Sequence, residues 1–161
     1  DFFQPLFALA DEGLAFEVAL CGEQFGKRPS IFQEALTRLA DRIIHVGHAP
    51  HDRYHALLWA ADVTISTAYH EFFGISILEA IACHTFPLLP NRLSYPELIP
   101  ESFHAFCLYE DQADLQARLR YALTHLAETR QLARGLATAV SPYDWRHLVV
   151  RYDQILSQFG R

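Results

Sequence analysis

The chain has no methionine and only three cysteines in 161 residues. Cys21, Cys83 and Cys107 form an odd, widely spaced set. That excludes a disulfide framework and a zinc-binding pattern. Cys21 and Cys107 lie in apolar runs and are expected as small core residues, which fits a reducing cytoplasm. No apolar run reaches the ~18–20 residues a spanning helix needs, and no basic-then-apolar leader opens the chain. It starts on Asp1-Phe2-Phe3 with no internal methionine to start from, so it is expected to be part of a longer protein. A basic surplus is missing too. Formal net charge is −6, with Lys and Arg scattered, so this chain alone is a poor grip for a polyanion. Gly22 and Gly26 form no G-x-G-x-x-G and no P-loop pattern occurs, which argues against nicotinamide, flavin and P-loop sites.

What remains is an ordinary globular composition, 51% hydrophobic and 20% charged. Residues 1–161 are expected to form one domain, large enough to bury roughly 70% of the surface of the unfolded chain. Short apolar runs alternate with helical periods. Helices are expected at 2–11, at 31–39 with Ser30 as cap and Ile31, Ala35, Leu36 and Leu39 inward, at 52–61, and at 74–82 with Ile75, Leu78, Ile81 and Ala82 inward. Strands are expected at 16–21, 42–46, 63–66, 85–89 and 105–109, with Pro87 favouring an edge or an end. A short helical turn is expected at 96–99. Three helices follow, at 111–126, 128–140 and 142–159, the last with Ser141 as cap and Pro142 in its first turn. This alternation implies right-handed βαβ units and an α/β, doubly wound, mainly parallel Rossmann-like sheet of about five strands, closed by C-terminal helices. Such sheets bind ligands beyond the carboxyl ends of their strands. The loops to search are therefore 22–29, 47–52, 67–74 and 90–96.

The third loop carries the most chemistry. A strand ends, Glu71 sits in the turn, and Gly74 allows the backbone to start a helix at close quarters. Glu79 follows five residues past Gly74, roughly 7.5 Å along a helix axis. The two carboxylates thus bracket a helix start rather than touch. Free N–H groups near Phe73, Gly74 and Ile75 suit a diphosphate, and a carboxylate can accept from a vicinal diol. A nucleoside diphosphate sugar carries its groups in that order. On spacing alone, an ordinary loop acid and a solvated helix acid fit as well.

Glu71-Phe72-Phe73-Gly74 followed by Leu78-Glu79-Ala80 resembles the E-x7-E signature of retaining glycosyltransferases with the GT-B fold. Gly47, Ala60-Ala61-Asp62-Val63 and Ser66 before it, and Pro87-Leu88-Leu89 and Tyr95-Pro96-Glu97-Leu98-Ile99 after it, resemble that family's flanks. The resemblance spans nearly the whole chain, as the carboxy-terminal donor domain. His70-Glu71-Phe72-Phe73-Gly74, with Cys83, Tyr95-Pro96-Glu97 and Gly22-Glu23-Gln24-Phe25, further resembles the tRNA-queuosine mannosyltransferases. It implies GDP-mannose as donor substrate, with no prosthetic group and no metal, and queuosine-modified tRNA as acceptor. It also implies a partner amino-terminal acceptor domain outside this chain.

By the same resemblance Glu71 contacts the donor sugar hydroxyls and is the catalytic residue of the motif, holding the sugar and not acting as an acid or base catalyst, and Glu79 holds the ribose hydroxyls. Amides at Phe73, Gly74 and Ile75 face sugar or diphosphate, Gly22 permits close approach of the first loop, and His70 touches donor or acceptor. The family's Arg and Lys that neutralise the diphosphate have no match here. Lys27 and Arg28 are possible substitutes, and an upstream pair is the other, so this piece is expected to be inactive alone. His45, His48, His51 and His55 crowd one region and are expected as a polar rim. Trp59 and Trp145 are expected in the core. A non-catalytic Rossmann-like binding or assembly module is the alternative reading.

Overall fold

The computed structural model describes residues 2–22 and 29–159. Five strands alternate with helices: α1 (Phe3–Asp11), β1 (Val18–Cys21), α2 (Ser30–Arg38), β2 (Ile43–Gly47), α3 (His51–Ala60), β3 (Val63–Ile65), α4 (Ile75–Ala82) and β4 (Phe86–Pro90). Two short helices follow, α5 (Tyr95–Leu98) and α6 (Glu101–Cys107), then β5 (Leu108–Tyr109), α7 (Gln112–Thr124) and α8 (Leu126–Ala139). A 3-10 turn (Ser141–Tyr143) leads into α9 (Trp145–Phe159). Every strand pairing is parallel. The strands do not join in one sheet, however: β1 pairs with β2, and β3, β4 and β5 form a second sheet in that order.

The core sits around β4, which is buried at every position. Phe86-Pro87-Leu88-Leu89-Pro90 is the continuous apolar run expected of a strand covered on both faces. Pro87 is therefore not at the sheet's edge, and the hydrogen-bond parity explains why it is tolerated. Phe86 N–H bonds Asp62 O toward β3, and Asn91 N–H bonds Tyr109 O toward β5, so odd positions of β4 face β5. β5 reaches only Leu89 and Pro90. The N–H that Pro87 lacks would have pointed where no strand lies.

α1 buries Phe3, Leu6, Phe7 and Leu9 and packs on α2 and α7. Beneath α3, Thr85 is fully buried, and its hydroxyl donates to Leu58 O at 2.7 Å. A buried hydroxyl needs such a partner.

Several expectations fail locally. Ser30 is the first residue of α2 and makes no cap hydrogen bond. In α4 the buried residues are Ile77, Ala80 and Ile81, while Ile75 is 63% exposed, Leu78 is half-buried and Ala82 is exposed. The inward face is thus rotated relative to the expected one. Residues 105–107 are helical, and only Leu108 and Tyr109 form the last strand. Pro142 lies in the 3-10 turn, and Asp144, not Ser141, meets the start of α9 by accepting from Arg146 N–H at 2.8 Å. Cys107 is buried but Cys21 is exposed. Trp59 and Trp145 are 62% and 65% exposed. Trp59 meets the His84 ring edge-on and Trp145 meets the Tyr152 ring obliquely. No helix among the described residues is long and apolar enough to cross a membrane.

Candidate functional site

A cavity of about 660 Å³ runs between β1 and β3. At the carboxyl ends of those strands it is lined by Cys21, Tyr54, Thr67, Glu71 and Ser76. Ligands of doubly wound sheets bind at this end.

The loop after β3 is held from three sides. Ser66 Oγ and Tyr95 Oη are 2.7 Å apart, and Tyr109 Oη donates to Ser66 O at 2.7 Å. Ala68 N–H reaches Ser66 Oγ at 3.2 Å. Arg92 Nε donates to Ala68 O at 3.1 Å, with its guanidinium 4.4 Å from the centre of the Tyr69 ring. Burial pushes the pKa of both tyrosine hydroxyls up, that of Tyr109 to about 12.

This brace presents Glu71 to the start of α4. Glu71 Oε1 accepts from the N–H groups of Phe72 at 3.0 Å, Phe73 at 3.3 Å and Gly74 at 3.0 Å. Three successive amides converging on one oxygen make an anion-binding concavity. Gly74 makes it possible by adopting φ 90°, ψ 38°, the left-handed region that side chains disfavour. A Cβ there would also lie 3.0 Å from Leu98 Cδ2. The amides of Phe73 and Gly74, expected to face phosphate, are thus taken by Glu71 itself. The first-turn donors of α4 that remain beyond Gly74 are those of Ile75 and Ser76.

Glu79 lies on the same helix, and its Oε2 accepts from Tyr54 Oη at 3.0 Å. Burial, and then this bond, push the Tyr54 hydroxyl up to about 12. Cys21 and Cys83 are close enough to contribute to that rise, so β1, α3 and α4 meet here. The helix expected at 52–61 does not by itself single out Tyr54. The hint available was its place one turn into the helix after the second post-strand loop.

Of the other expected site residues, Gly22 ends β1, and its N–H bonds Gly47 O at 3.0 Å. A Cβ on Gly22 would meet nothing within 4 Å among the described residues, but its φ of +154° is one that side chains rarely adopt, so the backbone itself favours glycine there. His70 is exposed beside Glu71. Phe73 leans on Tyr143, with ring centres 6.1 Å apart, and Phe72 is 98% exposed. Lys27 and Arg28 lie outside the described residues. Around the second loop, His45 Nε2 lies 3.2 Å from Gly47 O, and the His51 and His55 ring centres are 4.1 Å apart with the rings tilted at 46°.

Residues 6–134 match the model of the family described as glycosyl transferases group 1. The chain belongs to that family. It is 38% identical over 96 residues to the tRNA-queuosine alpha-mannosyltransferase of Drosophila melanogaster, covering 60% of this chain and 26% of that protein. It is 26% identical over 141 residues to the GDP-mannose:cellobiosyl-diphosphopolyprenol alpha-mannosyltransferase of Xanthomonas oryzae pv. oryzae (strain PXO99A), covering 85% of this chain and 37% of that protein. The chain therefore spans about a quarter to a third of the length of these relatives. The catalytic domain of cholesterol-alpha-glucosyltransferase from Helicobacter pylori superposes with a TM-score of 0.57 at 21% identity, covering 73% of this chain and 76% of that one. At that identity the likeness concerns the fold, which is the α/β, mainly parallel architecture of a GT-B half.

Proposed function

We propose that this chain is the donor-binding domain of a retaining glycosyltransferase, with the nucleoside diphosphate sugar seated between Glu71 and Glu79. One observation carries the reading: a carboxylate fixed by three amides stands at the start of a helix, and a second, anchored by Tyr54, stands on the same helix. Glu71 Oε1 is committed to the amides, so Oε2 is the oxygen that meets a hydroxyl of the donor sugar. Glu79 accepts from the ribose diol. The diphosphate lies between them, on the amides of Ile75 and Ser76, with His70 at the sugar's outer side and Gly22 giving the first loop close approach. Retention in this arrangement uses no protein nucleophile. The leaving diphosphate is stabilised electrostatically instead, by cations that the longer protein supplies upstream.

GDP-mannose is the proposed donor and queuosine-modified tRNA the proposed acceptor, held by an amino-terminal domain of the same protein. The similarity to two mannosyltransferases, one of them named for tRNA-queuosine and the other for GDP-mannose, supports this choice. So does the His70-to-Gly74 segment. Three unpaired thiols support a cytoplasmic setting.

Calorimetric titration of the full-length protein with GDP, UDP and ADP tests the reading. GDP is expected to bind with saturation and more tightly than UDP, and this chain alone to bind it more weakly. Absence of heat from all three in the full-length protein would refute it and favour a non-catalytic binding or assembly module.

A further inference from the structure

Among the described residues, Glu79 is held by one side chain and by no cation. Its Oε2 accepts from Tyr54 Oη at 3.0 Å, and none of the ion pairs reaches it. Asp11, Glu12, Asp62, Asp114 and Asp144, by contrast, are each bound to an arginine. An arginine fork can take both oxygens of a carboxylate and neutralise it. A phenol takes one acceptor position and leaves the charge as it was. A carboxylate offers about four such positions on its two oxygens, so room remains for both hydroxyls of a vicinal diol.

Tyr54 is well placed to hold that arrangement. It lies at the end of the first turn of α3, where its own N–H bonds Pro50 O at 2.8 Å. α3 packs on α4, and the phenol crosses from the one helix to the other. Its side chain lines the cavity together with Cys21, at the carboxyl end of β1, where sheets of this kind seat their ligands.

The tether changes what Glu79 can do. A glutamate side chain has several rotatable bonds, and left to itself it samples several staggered arrangements. Bound to Tyr54, it keeps to one. A fixed acceptor rejects a ligand that lacks the matching hydroxyl, because the acceptor is then left unpaired. An acceptor free to swing into water loses much less by the same omission.

We infer that Tyr54 is a positioning residue of the ribose subsite: its hydroxyl holds the Glu79 carboxylate where both hydroxyls of a vicinal diol can reach it, and so sets the preference of the site for a ribonucleotide over a nucleotide without that diol. This rests on the reading of Glu79 as the acceptor of the donor's ribose. Discrimination at the ribose then belongs to a pair of residues on two helices and not to Glu79 alone.

Calorimetric titration of the full-length protein with GDP and with 2′,3′-dideoxy-GDP tests it. The parent is expected to bind GDP tighter by about a hundredfold, the scale of hydrogen bonds to a charged acceptor. In Tyr54→Phe that ratio is expected to fall to about tenfold, chiefly through weaker binding of GDP. The fold is expected to be kept, because the ring stays in place and the residue is only half-buried. A merely structural part for Tyr54 would weaken both nucleotides alike, so an unchanged ratio overturns the inference. Glu79→Ala in the same titration separates it from the donor-site reading. A ratio that collapses in Glu79→Ala but holds in Tyr54→Phe leaves that reading standing and overturns the part given to Tyr54. A ratio that holds in Glu79→Ala as well overturns both. The double variant is expected to bind GDP as Glu79→Ala does, since Tyr54 acts through Glu79. Weaker binding than that gives Tyr54 its own contact with the nucleotide and overturns the positioning role.

Discussion

Replacing Gly74 with alanine tests whether the left-handed start of α4 shapes the site. The residue holds φ 90° and ψ 38°. A residue bearing a Cβ pays about 1–2 kcal/mol in that region. The new Cβ would sit 3.0 Å from Leu98 Cδ2, and Leu98 is buried against the core. Shifting a packed leucine off its rotamer costs about 0.5–1.5 kcal/mol. Alanine also stiffens the unfolded chain, which returns about 0.4–1 kcal/mol. The net expectation is a loss of about 1–2 kcal/mol. Urea unfolding of the full-length protein should show a lower midpoint with an unchanged slope. Gly74→Asn separates the two causes, because asparagine tolerates the left-handed region better but brings the same Cβ. In a cycle with Leu98→Ala, the alanine penalty at Gly74 should shrink by the steric part. A Gly74→Ala protein as stable as the parent, or a strictly additive cycle, would refute the account of this turn.

Tyr54→Phe removes the hydroxyl that burial and Glu79 push up to about 12. A raised tyrosine contributes stability that is complete below the unfolded value near 10 and is lost as pH climbs through about 12. The parent should therefore lose stability to alkali between those values faster than Tyr54→Phe, by no more than about 1 kcal/mol because the side chain is half open to water. Alkaline unfolding curves read this directly, and identical curves would count against the Tyr54–Glu79 pair. Thr85→Val strands the Leu58 carbonyl in the core and should cost about 1–3 kcal/mol in thermal unfolding. Glu79→Gln keeps an acceptor for Tyr54 but gives up the charge. It should weaken GDP binding about tenfold in calorimetry, the effect of roughly 1.4 kcal/mol, with the fold unchanged.

The elements that could be read from sequence were those whose local pattern agrees with their final environment. β4 is an apolar run that ends up covered on both faces, and α1 keeps its phenylalanine and leucine face inward. The Glu71-to-Glu79 segment was legible because a short motif carries it whole. What failed depended on partners far along the chain. The face of α4 is set by where β4 and α8 lie against it, not by the spacing of its own apolar residues, so Ile75, expected inward, lies exposed. Ala105 to Cys107 have strand-like neighbours, but Pro100 precedes them and opens α6, which overrides the apolar run. Trp59 and Trp145 reflect a bias: large aromatics on helices were assigned to the core, whereas each lies mainly in solvent. Arg92 and Tyr109 reach the loop after β3 only through tertiary packing, so nothing in their local sequence marked them.

The division of labour at the start of α4 follows from charge and geometry together. Expected as a sugar contact alone, Glu71 also serves as the ligand of its own loop: one oxygen satisfies three amides that a helix start would otherwise leave open. A phosphate competing for the same amides would have to displace that oxygen and leave a carboxylate facing a diphosphate. Placing the diphosphate one turn-step on, at Ile75 and Ser76, avoids that exchange and keeps both acids on hydroxyls, where an acceptor is what the ligand needs. That proposed seat also says where the reading needs positive charge: next to Ile75 and Ser76.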